Sequence, residues 1–517
     1  MPSTAAGRSE LPGLTHGWRL LGDARRLAAH GVLRPFESNP DVPGAARFGA
    51  KLLRFGTGAP RVPDYAGGLK SCGPAAVKLG QALATRPDLV GPEAAADLKK
   101  LQDDLSPAPW PQVEAELNAA LPGGWKAHLA EISETPAGAA SIAQVHKAVT
   151  KDGRAIALKL LRPGVEAEFT SALASYAWAA AHVERLGGEF ARLKPRVVIE
   201  TFRQWTNAEL DLRREGGNAS ELAEAVRGEP GIRIPTVIWE LTTRRTLALE
   251  WVDGIKLTDL AAVDACGIDR SRLASALVKG FLTQAIGGGF FHADMHQGNI
   301  LLTPDGELVL IDFGIMGRLD RRARVYLAEI LYGLITGNYR RVAEIHFEAG
   351  YVPAHHDIGA FATALRAVGE PIRGQRTRDI SVANLLDGLF SITRQFDMAV
   401  QPHLLLLQKT MVMVEGVALS LDPDVNMWDV AAPYVKGWIR DELGPEAKAA
   451  DALIANVRLL RKLPGLAQRF VRQLPPESAA PPLPPLPPLP EPRPSRWPWV
   501  LLGAALGVGG SLLTQLF

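Results

Sequence analysis

The sequence predicts an α+β fold in which a small β-containing lobe precedes a larger helical lobe. Residues from about 130 to 165 and from 232 to 253 are strand-rich, as in the run RAIALKLLRP. After Asp320, apolar residues recur every three to four positions, which is typical of amphipathic helices. Residues 497–517 carry no charge and are long enough to cross a bilayer as a helix. We therefore expect a two-lobe body followed by a membrane anchor.

Composition excludes several classes of protein. The chain has 517 residues, of which 47% are hydrophobic and 22% charged, so it can bury a large core and is not disordered. The net charge is only +2, which argues against nucleic acid as the main ligand. Cys72 and Cys266 are the two cysteines, too few for a disulfide framework or a CxxC zinc site. The composition indicates folding in a reducing, aqueous compartment.

The N-terminal stretch 14–36 is rich in arginine and alanine, with Asp23 as its one acidic residue. A solvated helix with one apolar face is the preferred interpretation; a helix resting on a membrane and a transit peptide are the alternatives. We divide the chain into a helical N-terminal region (1–64), an extension (65–125), a small lobe (126–255), a helical lobe (256–473), a proline-rich linker (474–496) and a transmembrane anchor (497–517).

The linker 474–496 contains PPLPPLPPLPEP, which predicts an extended polyproline-II spacer; a PxxP ligand for an SH3-like groove is the alternative. The anchor 497–517 would span roughly 30 Å as a helix. Trp497 and Trp499 lie where an interfacial aromatic belt is expected. A buried C-terminal helix is the alternative.

The charges and glycines around the anchor predict its topology. Arg493 and Arg496 precede it, which places the body of the protein on the cytoplasmic side. Gly503 and Gly507 form a GxxxG pattern that permits close pairing of two such helices, and hence a dimer, in lipid.

Residues 290–317, FFHADMHQGNILLTPDGELVLIDFGIMG, carry the most specific chemical pattern. Asp294 and Asn299 are five positions apart, and Asp312 opens a DFG triplet. The runs NILLT and LVLIDF flank a Pro-Asp-Gly turn, so a hairpin should return Asp312 to Asn299. A carboxylate and an amide that converge in this way suit Mg²⁺ on a nucleotide. Asp294 would act as a base or orient the nucleophile.

Lys159 ends a strand-like run, where a lysine can pair with the phosphates of a nucleotide. A solvent-facing strand lysine is the alternative. Such a lysine needs a glutamate partner on a helix, and Glu215 is our candidate. Glu209 and Asp211 lie nearby; on a helix they would point to different sides.

A glycine-rich GxGxxG loop is replaced here by AGAASIAQVHKA, residues 137–148. The alanine Cβ atoms limit positive φ angles and the approach of the backbone to phosphate. We therefore expect altered binding of the nucleotide and poor phosphoryl transfer to protein substrates.

With these motifs, the sequence resembles the UbiB-type atypical kinase-like proteins of ubiquinone (coenzyme Q) biosynthesis. The likeness covers roughly residues 65–320, and the anchor agrees with bacterial members. Lys78 and Gln81 match the family's KxGQ motif, and Glu209 and Asp211 match its ExD motif. The resemblance implies a protein-kinase-like two-lobe fold, with a helical KxGQ extension that covers the active site and occludes peptide.

The resemblance also implies roles for individual residues. Lys159 would hold phosphates and pair with Glu215, Asn299 and Asp312 would bind Mg²⁺, and Asp294 would take the catalytic position. Lys78 and Gln81 of the extension, and Glu209 and Asp211 of the ExD motif, would also belong to the catalytic set. The nucleotide loop would comprise Ala137, Gly138, Ala139, Ala140, Ser141, Ile142, Ala143, Gln144 and Val145.

The sequence departs from the family pattern in three places. Gly138 stands where alanine is common, which would loosen nucleotide specificity. Gln297 replaces the proline of the HxDxHPGN pattern and leaves every charged member in place. One C-terminal apolar segment is present where many relatives have two. His292 and His296 are expected to pack the loop rather than bind metal.

The function implied is that of a membrane-anchored kinase-like ATPase that binds Mg²⁺ with ATP or ADP. It would support ubiquinone biosynthesis by giving the pathway's enzymes access to lipid-like quinone precursors, at the bacterial inner membrane; a mitochondrial membrane is the alternative. The rival hypotheses are a non-catalytic nucleotide-sensing scaffold and a true protein kinase. A hydroxylase has no support, because flavin and iron motifs are missing from the sequence.

Overall fold

A computed structural model describes residues 13–38, 42, 44–84, 90–101, 107–186, 194–370, 391–398 and 402–444. The chain separates into two units, Met1–Leu443 and Gly444–Phe517. All the helices and strands below belong to the first unit. The linker and the anchor predicted for residues 474–517 lie outside the described residues.

Short helices precede the first strand. Asp64 caps the fourth of them, where its carboxylate accepts a hydrogen bond from the backbone N–H of Gly67. The last two helices before the first strand carry proline in their first turn. No hydrogen bond is lost there, because the first N–H groups of a helix have no partner within it. The helices are α1 (Gly13–Ala29), α2 (Arg34–Ser38), α3 (Gly44–Arg54), α4 (Tyr65–Ser71), α5 (Pro74–Ala84), α6 (Pro92–Leu98) and α7 (Trp110–Ala120).

Five antiparallel strands form the sheet of the small lobe: β1 (Leu129–Ile132), β2 (Gly138–Ala139), β3 (Ala143–Thr150), β4 (Ala155–Leu161) and β6 (Thr246–Glu250). The main order is β1-β3-β4-β6, and β2 folds back on β3. In β4, Ile156, Leu158 and Leu160 are fully buried on one face of the sheet. Side chains alternate along a strand, so Lys159 lies on the opposite face.

Three helices lie between β4 and the next strand: α8 (Val165–Leu186), α9 (Pro195–Glu209) and α10 (Leu212–Ala225). Glu209 ends α9, whereas Asp211 is the cap that begins α10 and accepts a hydrogen bond from the backbone N–H of Arg213. The two acids of the ExD motif therefore lie at the junction of two helices rather than on one helix. α10 packs against β6, which brings Glu215 under the sheet.

The large lobe holds two further sheets, built from β5 (Ile232–Arg233), β7 (Ile255–Lys256), β8 (Phe290–His292), β9 (Ile300–Leu302), β10 (Leu308–Leu310) and β11 (Met316–Arg318). The first has the order β5-β10-β9-β7, and the second pairs β11 with β8. β9 and β10 form the hairpin expected around the Pro-Asp-Gly turn, with Leu302 opposite Leu308. β5 pairs with β10 in parallel, so the chain visits the large lobe before it completes the small one.

Helices complete the large lobe: α11 (Leu260–Ala265), α12 (Arg270–Leu282), α13 (Arg321–Thr336), α14 (Tyr339–Glu348), α15 (Ile358–Gly369), α16 (Pro402–Leu421) and α17 (Met427–Leu443). α12 packs against α16 and α17, and one turn of π-helix, Thr283–Gly288, continues it toward β8. Such π turns are common at functional sites.

The stretch Leu404–Leu421 within α16 is long and apolar enough to cross a membrane, by length and composition alone. In the described part of the chain, however, Leu407, Val414 and Ala418 of this stretch are buried in the hydrophobic core of the large lobe. One face of α16 therefore packs in the core, whereas Leu405 and Val412 are exposed, and α16 is distinct from the anchor predicted at 497–517.

Candidate nucleotide site and its covering extension

β4, α10 and the DFG segment meet at Lys159. The Nζ atom of Lys159 lies 2.7 Å from Oε1 of Glu215 and 3.5 Å from Oδ1 of Asp312. The side chain of Glu215 is 9% exposed, whereas that of Asp312 is 48% exposed. Glu215 therefore holds the lysine from the interior, and Asp312 presents a carboxylate to the cleft.

Charge and burial act in opposite directions on this cluster. Burial tends to lower the pKa of Lys159, but the carboxylates of Asp312 and Glu215 outweigh it and raise that pKa above its usual value. Burial raises the pKa of Glu215, against the attraction of Lys159. Lys159 holds the pKa of Asp312 below its usual range. Asp312 is thus the carboxylate of this cluster that stays ionised over the widest pH range.

The backbone of the DFG segment is fixed by α10. Asp312 has a φ of +63°, which non-glycine residues seldom adopt, and its Oδ1 accepts a hydrogen bond from the N–H of Gly314 at 3.2 Å. The N–H of Phe313 donates to Glu215 Oε1 at 3.3 Å, and its carbonyl accepts from Asn218 Nδ2 at 2.9 Å. The strained conformation is therefore held by three hydrogen bonds, two of them from α10.

His292, at the end of β8, joins the catalytic loop to the strand before Asp312. Its Nδ1 accepts a hydrogen bond from the backbone N–H of Asp294 at 3.1 Å, and its Nε2 lies 3.3 Å from the carbonyl of Ile311. Burial lowers the pKa of His292, which favours a neutral imidazole with the proton on Nε2. His292 thus supports the loop-packing role expected from the sequence.

Asp294 and Asn299 lie in the loop that follows. Asn299 Nδ2 donates to the carbonyl of Asp294 at 3.1 Å, a bond that leaves the amide oxygen of Asn299 unused. The carbonyl of Asn299 accepts from the N–H of Ile311 at 2.9 Å, so the backbone of Asn299 lies beside the residue before Asp312. His296 Nε2 is 3.7 Å from Asp294 Oδ2.

Two contacts from α16 to the catalytic loop were not predicted from the sequence. Lys409 Nζ lies 3.4 Å from Asp294 Oδ1, and Gln297 Nε2 donates to Ser420 Oγ at 2.6 Å. The residues in each pair are more than 100 positions apart, and α16 carries no motif that marks them. Gln297 thus joins the loop to α16.

The extension reaches the cleft through α5. Lys78 and Gln81 lie one turn apart on this helix, as expected. Lys78 Nζ is 2.7 Å from Glu209 Oε2, and each side chain is 24% exposed. Gln81 donates to the carbonyl of Leu101 at 2.8 Å, which stabilises the extension itself. Lys78 also makes a small contribution, after Lys159, to the lowered pKa of Asp312, so the extension acts electrostatically on the site.

Asp211, the second acid of the ExD motif, has different partners. Besides capping α10, it pairs with Arg213 Nη2 at 2.6 Å, and Arg213 lowers the pKa of the Asp211 carboxyl. Asp211 therefore positions the helix that carries Glu215, while Glu209 binds Lys78.

The alanine-rich loop forms the tight hairpin between β2 and β3. The N–H of Ala140 donates to the carbonyl of Ala143 at 2.8 Å, and an Arg162 guanidinium nitrogen donates to the carbonyl of Ala140 at 3.3 Å. Gly138 does not have a positive φ angle, and a Cβ atom there would meet no heavy atom within 4 Å. The glycine is therefore not required by the backbone.

The side chains of the predicted nucleotide loop do not all lie on the same side. Gln144 is 1% exposed; its Oε1 accepts from the N–H of Ala108 at 3.0 Å and its Nε2 is 2.7 Å from His146 Nε2. Val145 pairs with Gly138 inside the sheet. Residues 140–142, between the paired strands β2 and β3, are consequently the tip of the hairpin.

The donor set fits a divalent cation. The carboxylate of Asp312 and the amide oxygen of Asn299 are hard oxygen ligands of the kind that Mg²⁺ prefers. Among the charged groups in contact around the cleft, Asp294, Asp312 and Glu215 outnumber Lys159 and Lys409 by one. A cation would balance that excess negative charge.

A strand lysine paired with a helix glutamate, a D-x4-N loop and a DFG aspartate in a two-lobe fold define a protein-kinase-like site. The family model for the ABC1 atypical kinase-like domain matches residues 100–346, and that for the UbiB helical domain matches residues 365–426. The first range contains the site, and the second contains Lys409 and Ser420.

Two bacterial relatives bear the name "Probable protein kinase UbiB". The one from Marinobacter nauticus is 38% identical over 381 residues, 73% of this chain and 70% of the relative. The one from Cellvibrio japonicus is 38% identical over 379 residues, 72% and 69% of the two chains. The chain belongs to the UbiB family, which confirms the resemblance found in its motifs.

A solved structure of Rv3197 from Mycobacterium tuberculosis, in complex with erythromycin, is also similar to this chain. It is 24% identical with a TM-score of 0.49, over 72% of this chain and 93% of that one. A likeness at this score supports no conclusion about activity.

Proposed function

We propose that the protein is a membrane-associated, kinase-like ATPase that binds ATP or ADP with Mg²⁺ and supports ubiquinone biosynthesis. The observation that carries the proposal is the arrangement of Lys159 between Glu215 and Asp312, with Asp294 and Asn299 in the adjoining loop. Membership of the UbiB family connects this site to the biosynthetic pathway.

Each residue has a task that follows from its position. Lys159, kept cationic by its two carboxylates, would contact the phosphates. Asp312 and Asn299 would hold Mg²⁺, which when bound neutralises charge on the phosphates. Asp294 would orient the attacking hydroxyl and accept its proton, with Lys409 keeping its carboxylate in place. The hairpin tip 140–142 would cover the nucleotide.

The Lys78–Glu209 ion pair supports water or a small lipid-like acceptor over a peptide. It joins the extension to the end of α9, next to the helix that carries Glu215. A peptide substrate would have to displace this contact. Hydrolysis, or transfer to a small acceptor, is the reaction that needs no such displacement.

A membrane location suits this chemistry. Isoprenoid tails gain about 0.8 kcal/mol for each CH₂ buried in lipid and do not leave it unaided. We infer that ATP-driven conformational work presents such quinone precursors to the pathway's enzymes. The bacterial inner membrane is the location we propose, on the strength of the anchor predicted at 497–517; the relatives are bacterial.

The test is phosphate release from ATP by the full chain in lipid vesicles, with and without a phenolic quinone-precursor mimic. We expect Asp312→Asn to abolish turnover, a loss of at least about a hundredfold. Asp305→Asn is the matched control, because Asp305 is an exposed aspartate in the β9–β10 turn. Equal turnover in wild type and Asp312→Asn would refute the assignment. Tight binding of Mg-nucleotide without turnover would favour the scaffold hypothesis.

A further inference from the structure

The N-terminal helices expose several large hydrophobic side chains that the site does not use. Trp18 is 72% exposed and Phe55 is 81% exposed. With their neighbours they form what we call the N-terminal apolar face: Trp18, Leu21, Phe48, Leu52 and Phe55. Monomeric soluble proteins seldom keep so many large apolar groups together in water.

The exposed residues of α1 lie on one side because its other side is docked. His16 Nδ1 is 3.1 Å from Ser175 Oγ, and Arg19 Nη1 donates to Ser171 Oγ at 3.1 Å. Both serines belong to α8. Trp18, Leu21 and Arg25 are spaced by three and four positions, so they share the opposite, outward side of α1.

The same holds for α3, which packs against α1. Phe48, Leu52 and Phe55 follow one another by four and three positions and form an outward stripe, whereas Ala50 is buried. Arg54 Nε forms an ion pair with Glu37 Oε1 at 2.7 Å, which joins α3 to α2. The apolar stripes are therefore fixed by the packing of both helices.

Positive charge accompanies this face. Residues 13–70 hold nine lysines and arginines and four aspartates and glutamates, a net charge of +5, against +2 for the whole chain. Arg25 follows Trp18 and Leu21 on the outward side of α1, and Lys51 lies between Phe48 and Phe55 along α3; both are exposed. Aromatic and aliphatic groups bordered by basic ones are complementary to a bilayer with anionic head groups.

We propose that the N-terminal apolar face docks on an anionic lipid bilayer. Trp18, Phe48, Leu52 and Phe55 enter the interfacial layer, and Arg25 and Lys51 lie at the level of the phosphates. Residues 1–12 are an unsuitable alternative cover, because Met1 and Leu11 are their only large apolar residues. The inference concerns where the body contacts lipid, and it holds whether or not the site turns over ATP.

The test reports the position of the face, because the predicted anchor would keep the full chain on vesicles in any case. A nitroxide is attached at Phe48→Cys in a Cys266→Ser background, and a matched control label at Trp239→Cys, an exposed site on the small lobe that is 49% exposed. Vesicles contain phosphatidylcholine with or without phosphatidylglycerol. Accessibility to oxygen and to a water-soluble nickel complex is measured by electron paramagnetic resonance.

In anionic vesicles we expect the label at position 48 to be reached by oxygen and shielded from nickel, while the control label remains in water. Lys51→Gln and Arg25→Gln should each weaken the docked state about fivefold. Equal nickel access in anionic and neutral vesicles would overturn the proposal. So would shielding that rises with protein concentration, which indicates a second copy, or shielding without lipid, which indicates another segment of the chain.

Discussion

At the scale of single residues, the candidate site depends on one buried glutamate. Glu215 Oε1 lies 2.7 Å from Lys159 and accepts the N–H of Phe313. One carboxylate oxygen thus positions both the lysine proposed to bind phosphate and the segment that carries the aspartate proposed to bind metal. Burial raises the pKa of the Glu215 carboxyl, which shows that loss of water destabilises its ionised form. Because this cost offsets much of the attraction to Lys159, the ion pair contributes more to positioning these groups than to the stability of the fold.

We expect Glu215→Gln to lower kcat/KM for ATP at least tenfold, because Lys159 loses the charge that orients it. The free energy of unfolding should fall by about 3 kcal/mol, because the Lys159 ammonium loses its closest counter-charge and keeps only Asp312 at 3.5 Å. Steady-state phosphate release and urea unfolding measure the two effects. Glu221→Gln, in an exposed pair with Arg318, is the control and should alter neither.

A second prediction concerns the extension. Lys78→Met removes the 2.7 Å contact with Glu209, and we expect autophosphorylation to increase because the cleft becomes accessible to the chain's own hydroxyl groups. The pair is partly exposed, so stability should fall by no more than about 1 kcal/mol. Transfer of labelled phosphate from ATP measures the gain. Lys100→Met breaks a comparable pair with Asp97 elsewhere in the extension; a similar gain there would contradict the prediction.

At the scale of elements, α16 is the support of the catalytic loop. It contributes Lys409 beside Asp294 and Ser420 beside Gln297, while its inner face lies in the core of the large lobe. The UbiB helical domain is therefore in contact with the kinase-like site rather than appended to it.

The contact between Gln297 and Ser420 can be tested by a double-mutant cycle. Gln297 opens a 3₁₀ turn after an extended residue, a backbone that proline accepts. We expect Gln297→Pro to fold and to lose about 1 kcal/mol of hydrogen-bond stabilisation, partly offset by the stiffer loop. Ser420→Ala should destabilise the wild type more than the proline variant, in which only the bond from Ser420 Oγ to the carbonyl of Val417 is left to lose. Additive effects in thermal unfolding would show that the hydrogen bond is not formed.

How much of this site was predictable depended on sequence distance. Asp294, Asn299 and Asp312 lie within 19 residues of sequence. The Pro-Asp-Gly turn predicts the hairpin that brings Asn299 and Asp312 together. Lys409 and Ser420 come from a helix whose apolar pattern predicts burial and says nothing of its polar contacts.

In the extension and in the predicted nucleotide loop, too, the sequence predicts the local structure but not the tertiary partners of the side chains. The spacing of Lys78 and Gln81 predicts a shared helix face, but only the tertiary structure separates Glu209, which binds Lys78, from Asp211, which caps α10. Likewise, the alternation along β3 turns Gln144 inward, and its partner Ala108 lies 36 residues away.

At the scale of the whole molecule, the buried His146 and His292 and the half-buried His346 predict how stability depends on pH. Burial lowers the pKa values of His146, His292 and His346 in the folded protein. Unfolded histidines titrate near 6.5, so below that pH the unfolded state binds protons that the folded state does not. The stability is present above about pH 6.5 and is lost as the pH falls toward the lowered values.

We therefore expect the urea midpoint of the full chain in detergent micelles to fall between pH 7.5 and pH 5.5. In His346→Phe the fall should be shallower by about one proton, because a neutral aromatic side chain replaces a half-buried imidazole. His355→Gln, at an exposed position, should keep the wild-type slope. A midpoint that does not change over this pH interval would mean that these histidines are already accessible in the folded state.

The parallel pairing of β5 with β10 has a consequence for biogenesis. Ile232 pairs with Leu308, which leaves the ribosome 76 residues later. At about 5–20 residues per second, the β5 edge waits roughly 4–15 s for its partner. During that interval the small-lobe sheet can close through β6 while the nascent large lobe still exposes an unpaired strand. Ribosome-associated chaperones are thus expected to engage the nascent chain between the synthesis of β6 and the completion of the DFG segment.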